Sequence, residues 1–336
     1  MSSSQVVIAV VILTLAIVLS IVLSLTIKSP VARTLQTHLS WQKVLRAEKT
    51  QHTVEVLPYT VACCFCIRDC GKYLKYIFNN VERLKKRFKK MYCIFVYDNC
   101  SDNSEELLQQ YQNSHDNVIL YHNVDNTSPT RPVRIANSRN LTLDFLYQLP
   151  DVIDYHFVVD ADDVNADPWD IDVIVASIRD RSDWDCLTFN RPFYYDIWAL
   201  LYDKYKHHCW GFGKQSPDVI GAMKHDIVTK LKAVPPDHLL DCYSAFCGFA
   251  IYRTPVFKGL RYDGLYANVR EFFTDQERLD TLEHLKQQLP PSKAKTLQLD
   301  DGVQNIEQAD HVYLHLSAIR DRNARIRISP QSLFYS

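Results

Sequence analysis

Three carboxylates stand close together directly after an apolar segment of the chain. Residues 155–159 are mostly apolar and of strand type, and Asp160, Asp162 and Asp163 follow at once. Ligands of open α/β sheets bind at the carboxyl ends of strands. Neighbouring carboxylates repel one another, so this arrangement predicts a hard divalent cation, Mg²⁺ or Mn²⁺, which prefers oxygen ligands and keeps positions open for phosphates. The sequence therefore indicates metal-dependent handling of a diphosphate.

Glycine is scarce in this chain. The 336 residues include 8 glycines, about a third of the average frequency of roughly 7%. The sequence contains no G-x-G-x-x-G and no G-x-x-x-x-G-K-[ST], which excludes the glycine loops of dinucleotide enzymes and P-loop ATPases. Metal and arginine are therefore expected to carry phosphate charge. The net charge of −1 gives no global field that would favour nucleic acid as a partner.

Strand-type and helix-type segments alternate along the chain from residue 60. This alternation predicts an α/β fold, in which a mostly parallel sheet is flanked by helices. Strands are predicted at 60–67, 92–97, 118–121, 156–159, 186–190, 247–252 and 312–316, and helices at 72–90, 104–112 and 135–147. The carboxyl ends of these strands would hold the functional side chains.

Polar side chains follow the second predicted strand and occupy the helix after the third. Asp98 ends the second strand, where a carboxylate can accept hydrogen bonds from a nucleobase or a ribose. The asparagines and serines after it are also typical of turns and helix caps. Arg139 lies on the helix predicted at 135–147, and its guanidinium can offer two parallel hydrogen bonds to a diphosphate.

Four motifs in order resemble those of GT-A glycosyltransferases of the broad family-2 type. They are Arg68-Asp69, Asp98-Asn99-x-Ser101-x-Asn103-Ser104, Ser138-Arg139-Asn140 and Val158-Val159-Asp160-Ala161-Asp162. The resemblance covers about residues 60–163. It implies a Rossmann-like fold that binds a UDP- or GDP-sugar, with Mn²⁺ or Mg²⁺ held by the Asp160-x-Asp162 motif. The residues implied to contact the nucleotide-sugar are Arg68, Asp98, Arg139, Asn140 and Asp160.

The same resemblance implies that the second half of the chain supplies the acceptor site. Sugar faces stack on aromatic rings, and an aromatic cluster follows the strand predicted at 186–190. The predicted acceptor residues are Tyr194, Tyr195, Asp196 and Trp198.

A catalytic base and a third metal ligand are also predicted in the second half. Asp310 is the predicted base because it opens an apolar segment and could accept a proton from an acceptor hydroxyl; Asp275 and Glu277 are the alternatives. His315 is the predicted third metal ligand, with His311, four residues earlier, as its alternative.

An uncharged segment at residues 6–27 is long enough to cross a bilayer, which needs about 20 apolar residues. It is too long for the apolar region of a signal peptide, and no basic residue precedes it. The prediction is a single-pass membrane protein. Lys28 and Arg33 follow the segment, so the charge rule places the catalytic part on the cytoplasmic side; the lumen of the Golgi or endoplasmic reticulum is the alternative.

These predictions combine into one organisation. It comprises a tail at 1–5, a transmembrane helix at 6–27, a stem at 28–57 and a GT-A domain at 58–336, divided into a nucleotide-sugar half at 58–165 and an acceptor half at 166–336. The predicted function is a membrane-anchored glycosyltransferase that acts on a glycan, glycoprotein or glycolipid. The alternatives are a Mg²⁺-dependent phosphatase similar to the haloacid dehalogenases, with the first Asp as nucleophile, and a non-catalytic glycan-binding membrane protein.

Overall fold

Residues 30–48, 54–300 and 306–334 are described by the computed structural model. The chain divides into two compact units, Met1–Thr53 and Val54–Ser336. In the first unit, helix α1 covers Pro30–Glu48. The second unit contains all the strands and the remaining described helices.

Eight strands form the described sheet of the second unit. They are β1 (Leu57–Ile67), β2 (Phe88–Tyr97), β3 (Val118–His122), β4 (Tyr155–Asp160), β5 (Cys186–Asn190), β6 (Leu240–Cys242), β7 (Phe249–Arg253) and β8 (Ile326–Ser332). The helices are α2 (Gly71–Lys85), α3 (Ser104–Ser114), α4 (Arg131–Tyr147), α5 (Ile171–Arg179), α6 (Ser216–Ala233), α7 (Thr254–Phe257), α8 (Tyr266–Val269), α9 (Asp275–Gln288), α10 (Pro291–Ala294) and α11 (Asp310–Arg322).

The strand order in the sheet is β3-β2-β1-β4-β7-β5-β8-β6. Strands β1 to β4 are all parallel, because a helical crossover returns the chain between each strand and the next. β7 then pairs antiparallel with both β4 and β5, and β8 pairs parallel with β5. The predicted α/β fold, a mostly parallel sheet flanked by helices, is confirmed for the described residues. The carboxyl ends of β1, β2 and β4 meet at one edge.

Apolar residues on both faces of the sheet form the core. Along β1, Val61, Cys63 and Phe65 belong to one buried cluster, whereas Ala62 and Cys64 belong to the other. Successive side chains of a strand point to opposite faces, and a strand buried on both faces reads as a continuous apolar run. Helices α2, α3 and α5 cover the first face, and α4, α6 and α11 cover the second.

Two of the predicted elements differ in the structure. The strand predicted at 312–316 is wrong, since these residues lie in helix α11. The predicted helix 72–90 ends at Lys85, and β2 begins at Phe88. Residues 308–318 are almost all buried, so α11 has no solvated face to give a helical period. A short apolar run of this kind cannot be distinguished from a strand by periodicity.

The prediction of a single-pass membrane protein is contradicted. No helix within residues 30–48, 54–300 and 306–334 is long and apolar enough to cross a bilayer. The segment predicted to span, residues 6–27, lies outside the described residues.

Candidate active site

A cleft of about 700 Å³ opens at the carboxyl ends of β1, β2 and β4. Helix α4 and the beginning of α11 form one wall, and aromatic residues from the segments 195–199 and 209–210 form another. Six acidic side chains from separate parts of the chain line this cleft: Asp69, Asp98, Asp160, Asp162, Asp196 and Asp310. The sheet edge therefore gathers the carboxylates that the sequence singled out.

Asp160 and Asp162 are fixed by a tight turn after β4. The main-chain N–H of Asp160 donates to the carbonyl of Gly248 at 3.0 Å. The Asp160 carbonyl accepts from the side-chain amide of Asn165 at 2.8 Å. Asp162 accepts from the N–H of Val164 at 3.1 Å and thereby caps a 3₁₀ turn at Asp163–Asn165. Both carboxylates consequently project from one defined backbone conformation.

Arg139 lies between Asp160 and Asp310 on the floor of the cleft. Its Nη2 is 3.1 Å from Asp160 Oδ1, and its Nε is 2.7 Å from Asp310 Oδ2. The second contact is an ion pair without the angle of a hydrogen bond. The guanidinium also lies over the ring of Phe246, 4.7 Å from its centroid, an attractive contact. Arg139 was predicted to bind a diphosphate, but in this structure it binds the chain's own carboxylates.

Charge in the cleft is unevenly balanced. Burial raises the pKa of Asp160 to about 7; Arg139 opposes this rise, and Asp162, Asp196 and Asp310 add to it. Burial likewise raises the pKa of Asp162 and of Asp310. For Arg139, burial opposes the charge, but Asp310 and Asp160 raise its pKa above the ordinary value, so it remains a cation.

These residues fit a divalent cation. Four of the carboxylates influence one another's ionisation, and one guanidinium lies among them. Carboxylate oxygens are the ligands that Mg²⁺ and Mn²⁺ prefer. A bound cation would offset the repulsion that raises the pKa of Asp160. Asp160 and Asp162 are the residues best placed to hold it.

Asp98 is held rigidly at the end of β2. Its Oδ1 accepts from the hydroxyl of Ser138 at 3.0 Å, and both carboxylate oxygens lie within 3.2 Å of the Asn126 side-chain amide. These contacts attach the carboxylate to α4 and to the loop after β3. Asn126 was not among the residues predicted for the site. It lies in a polar loop where the sequence gives no periodic signal.

Arginines line the same end of the cleft. Arg68, predicted to contact the donor, is exposed there together with Arg131, and the half-buried Arg134 also lines the cleft. Arg134 uses one nitrogen to donate to the carbonyl of Ser128 at 2.5 Å. Positive side chains are thus available beside Asp98 and Asp160, as the lack of a glycine loop requires.

Asn140 does not line the cleft in this structure, so its role toward the donor stays a prediction. Its side-chain nitrogen donates to the Tyr262 carbonyl at 3.0 Å, and its side-chain oxygen accepts from the Tyr262 N–H at 2.9 Å. This reciprocal pair fixes the segment around Tyr262 to α4. The side chain therefore has a structural role.

Three of the four predicted acceptor residues line the cleft, namely Tyr195, Asp196 and Trp198. Tyr194 does not, because it is fully buried in the core. Trp198 packs edge-on against Trp210 with ring centroids 6.3 Å apart, and Trp210 also lines the cleft. This aromatic wall is 39–40% exposed at Tyr195 and Trp210, so its rings are accessible.

Asp310 is the only one of the three candidate bases among the cleft residues. It is the first residue of α11 and is 7% exposed. The alternatives lie on α9: Glu277 forms a capping box with Thr274 and pairs with Lys206, while Asp275 pairs with Arg278. Their carboxylates stabilise the start of that helix and do not line the cleft.

The predicted third metal ligand, His315, lies in the core and not in the cleft. Its Nδ1 is 3.0 Å from the hydroxyl of Ser244, and its Nε2 is 2.9 Å from the hydroxyl of Tyr252. Burial lowers its pKa to about 3, so the ring is neutral. His311 lines the cleft, but its Nδ1 is also 2.9 Å from the Tyr252 hydroxyl. The structure does not bring His315 to Asp160 and Asp162.

A different group of three side chains comes close together. Among the described residues, Asp69, Cys100 and Asp102 have ligand atoms within 4.8 Å of one another. Asp69 accepts from the N–H of Ser101, and Asp102 accepts from the N–H of Gly71. These bonds give the cluster a role in holding loops, and nothing further points to a cation there.

Arg191 is a buried residue beside the site that the sequence did not single out. It follows β5 and donates to the carbonyls of Val164 and Cys247 and to the side chain of Asn165. A lone arginine after a short strand carries no pattern, so only the tertiary structure reveals these contacts.

Comparison with known proteins gives matches among solved structures only; no protein-family profile and no curated protein matches this chain. One match is S. aureus TarS 1–349, at 13% identity over 82% of this chain and 60% of that one, with a TM-score of 0.38. TarS 1–349 has also been solved with UDP and with UDP-GlcNAc. The chain thus spans less than two thirds of the TarS structure that it matches.

Two further matches are named as sugar-transferring enzymes. Mannosyltransferase PcManGT from Pyrobaculum calidifontis, solved with GDP-Man and Mn²⁺, matches at 12% identity over 86% of this chain and 79% of that one, with a TM-score of 0.36. Glucosyl-3-phosphoglycerate synthase from Mycobacterium tuberculosis, solved with UDP, matches at 9% identity over 68% and 66%, with a TM-score of 0.37.

Proposed function

We propose that this chain is a metal-dependent glycosyltransferase, which moves a sugar from a nucleotide-sugar donor to a hydroxyl group of an acceptor. The observation that carries the proposal is the gathering of Asp98, Asp160, Asp162 and Asp310 in one cleft. This set offers a group for the nucleoside, a pair for a cation and a separate base. Metal-dependent transfer from a nucleoside diphosphate sugar, with direct displacement by an acceptor hydroxyl, uses all three.

The donor end of the cleft is assigned to the region around Asp98. Its carboxylate is held by Asn126 and Ser138, so it can accept hydrogen bonds from a base or a ribose without first being ordered. The arginines Arg68 and Arg131 lie at the same cleft, and guanidinium groups suit phosphate oxygens. A UDP- or GDP-sugar fits this combination.

Asp160 and Asp162 would hold the divalent cation, Mn²⁺ or Mg²⁺. When bound, the cation stabilises the negative charge that develops on the departing nucleoside diphosphate. The turn after β4 presents both carboxylates, and Arg139 holds Asp160 from the inner side. These contacts preorganise the pair before any ligand arrives.

Asp310 is assigned as the base that removes the proton from the acceptor hydroxyl. Arg139 holds this carboxylate in place, and the ring wall of Tyr195, Trp198 and Trp210 lines the same cleft. Aromatic faces bind the apolar faces of sugars, so a glycan, glycoprotein or glycolipid acceptor suits the wall. A base on the acceptor favours direct displacement with inversion at the anomeric carbon.

The phosphatase alternative is not favoured by the geometry. In that reaction Asp160 would have to be the nucleophile, but its carboxylate is paired with the buried Arg139. Such phosphatases also use a later acidic pair, for which this sequence offers Asp300-Asp301; Asp300 does not line the cleft. The aromatic wall and the clamped Asp98 would also have no function.

The proposal is tested by a donor screen with the full-length chain. UDP- and GDP-sugars are incubated with Mn²⁺, Mg²⁺ or EDTA, and released UDP, GDP and inorganic phosphate are measured separately. We expect nucleoside diphosphate release with metal and none with EDTA. Asp162→Asn keeps the acceptor for the Val164 N–H but removes the charge, so turnover should fall by about 10²-fold or more.

Asp172→Asn is the matched control, because Asp172 is an exposed carboxylate paired with Arg87 outside the cleft. It should leave turnover unchanged. Asp310→Asn should abolish transfer to an acceptor while metal-dependent donor binding persists. Full turnover in EDTA or in Asp162→Asn would refute the proposal, and release of inorganic phosphate alone would favour the phosphatase.

A further inference from the structure

Arg191 is a buried cation whose hydrogen bonds all go to neutral oxygen atoms. It is 9% exposed. Its Nε donates to the Cys247 carbonyl at 2.7 Å, its Nη2 donates to Asn165 Oδ1 at 2.7 Å, and its Nη1 donates to the Val164 carbonyl. The guanidinium lies over the ring of Phe334, 4.4 Å from its centroid. All three guanidinium nitrogens therefore have a hydrogen-bond partner, and one face of the group is covered by a ring.

The atoms that Arg191 binds belong to the backbone that presents the two aspartates. Val164 and Asn165 form the 3₁₀ turn that Asp162 caps. Asn165 connects Arg191 to the backbone of Asp160. Its side-chain nitrogen donates to the Asp160 carbonyl at 2.8 Å and to the Gly248 carbonyl at 2.7 Å. Arg191 therefore ties the turn to the segment that enters β7.

We propose that Arg191 is a positioning residue, which sets the affinity of the Asp160–Asp162 pair for a divalent cation by locking the turn that carries both carboxylates. This inference rests on the proposed function, since it presumes a cation at that pair. Groups that orient metal ligands through hydrogen bonds typically change metal affinity by about 10- to 100-fold when they are mutated. Arg191 differs from that pattern only in acting through the main chain.

The geometry distinguishes positioning from simple charge. A planar guanidinium reaches the three oxygens at once, which a lysine ammonium cannot do. Arg191→Lys retains the positive charge and loses the simultaneous bonds, whereas Arg191→Met loses both. If locking the turn matters, both variants weaken cation binding. If only the charge mattered, Arg191→Lys would bind as the wild type does, and Arg191→Met, with less positive charge nearby, would bind the cation more tightly.

Arg253 provides a matched control in the same sheet. It also donates to neutral oxygens, namely the Trp184 carbonyl at 2.8 Å, the Arg181 carbonyl at 3.1 Å and the Tyr155 hydroxyl at 3.0 Å. Arg253 pairs with Tyr155 at the start of β4, whereas Asp160 stands at the end of that strand. Arg253→Met removes equivalent bonds at the opposite edge of the sheet.

The test is direct binding of Mn²⁺ to the full-length chain, followed by the electron paramagnetic resonance of free Mn²⁺. We expect the dissociation constant to rise about 10- to 100-fold in Arg191→Met, to rise also in Arg191→Lys, and to stay unchanged in Arg253→Met. Urea unfolding reports whether both methionine variants lose similar stability. In turnover assays, saturating Mn²⁺ should restore much of the activity of Arg191→Lys.

The inference is overturned if Arg191→Lys binds Mn²⁺ as tightly as the wild type does, whatever the affinity of Arg191→Met, or if Arg253→Met weakens binding equally. If Arg191→Met fails to fold, the Mn²⁺ dissociation constants of Arg191→Lys and Arg253→Lys are compared. We expect the constant to rise in Arg191→Lys and to stay unchanged in Arg253→Lys. Failure of the proposed function has a separate signature, because the wild type itself would then bind no Mn²⁺.

Discussion

Replacing Arg139 by methionine should destabilise the fold more than any other single change of charge in the cleft. The Arg139 side chain is 6% exposed and the Asp310 side chain 10%, whereas Asp160 keeps 31%. Removing one partner of a buried ion pair leaves an uncompensated charge and costs about 3–5 kcal/mol. In this cleft two carboxylates lose their shared cation together, so we expect a loss in the upper part of that range.

The variant Asp310→Asn should lose less stability than Arg139→Met. Arg139 keeps its ion pair with Asp160, so its charge is still compensated. We expect a loss in the free energy of unfolding below the roughly 3–5 kcal/mol of a fully broken buried ion pair. The double variant should be more stable than the sum of the single losses predicts, with a coupling energy of about 2 kcal/mol, as is typical of side chains in contact.

The free energy of unfolding that Arg139→Met loses should also depend on pH. Asp160 already has a pKa of about 7 with Arg139 beside it, and without Arg139 it rises further. A carboxyl group whose pKa is raised in the folded state contributes stability at low pH and loses it as the pH rises through the folded pKa. The difference from wild type should therefore be larger at pH 8 than at pH 5.5.

Urea unfolding followed by tryptophan fluorescence measures these quantities, and adding Mn²⁺ should recover part of the loss, because the cation replaces the missing positive charge. Arg325→Met is the control. Arg325 pairs with Asp185 at 2.9 Å but is 43% exposed, so its loss should stay near 1 kcal/mol. Additive losses in the double variant, or a loss in Arg139→Met that does not exceed the control, would refute the reasoning.

Three further predictions concern other residues. Gly248→Ala should destabilise the chain and raise the acceptor KM, because Gly248 has a φ of 82° and an added Cβ would lie 2.6 Å from the Tyr195 hydroxyl of the aromatic wall; urea midpoints and acceptor titration measure both. Asn140→Ala should lower the melting temperature through its lost bonds to Tyr262 and leave the donor KM unchanged; a tenfold rise in KM would restore its predicted donor role. Burial lowers the pKa of His156 to about 3, so below pH 6.5 the unfolding free energy should fall by about 1.4 kcal/mol per pH unit from this residue, a slope that His156→Asn should remove.

The first half of the fold could be predicted because most residues of β1, β2 and β4 are buried and helix α2 has one buried apolar face. Strand β1 and helix α4 were expected within a few residues of their observed bounds, and so was the parallel order that brings Asp98 and Asp160 to one edge. Helix α11 could not be predicted in the same way. Most of this helix is buried against the sheet and neighbouring helices, so its sequence has no regular polar face by which a helix could be recognised.

Two predicted site residues that do not line the cleft are neighbours of residues that do, but they point in other directions. Arg139 lines the cleft while Asn140, about 100° further around α4, bonds to another segment. Tyr195 lines the cleft while Tyr194 is in the core. A motif places both members of such a pair near the site, but the phase of the helix or loop decides which one reaches it. That phase depends on tertiary packing.

Arginine performs two separate tasks around the acidic edge of this sheet. Arg139 balances the charge of Asp160 and Asp310 from within the cleft, whereas Arg191 binds only neutral oxygens and fixes the turn from behind. Charge balance and the position of the turn therefore depend on different side chains and can be changed independently. Arg139→Met should therefore alter the pH dependence of stability without requiring movement of the turn, and Arg191→Lys should alter cation affinity without removing charge.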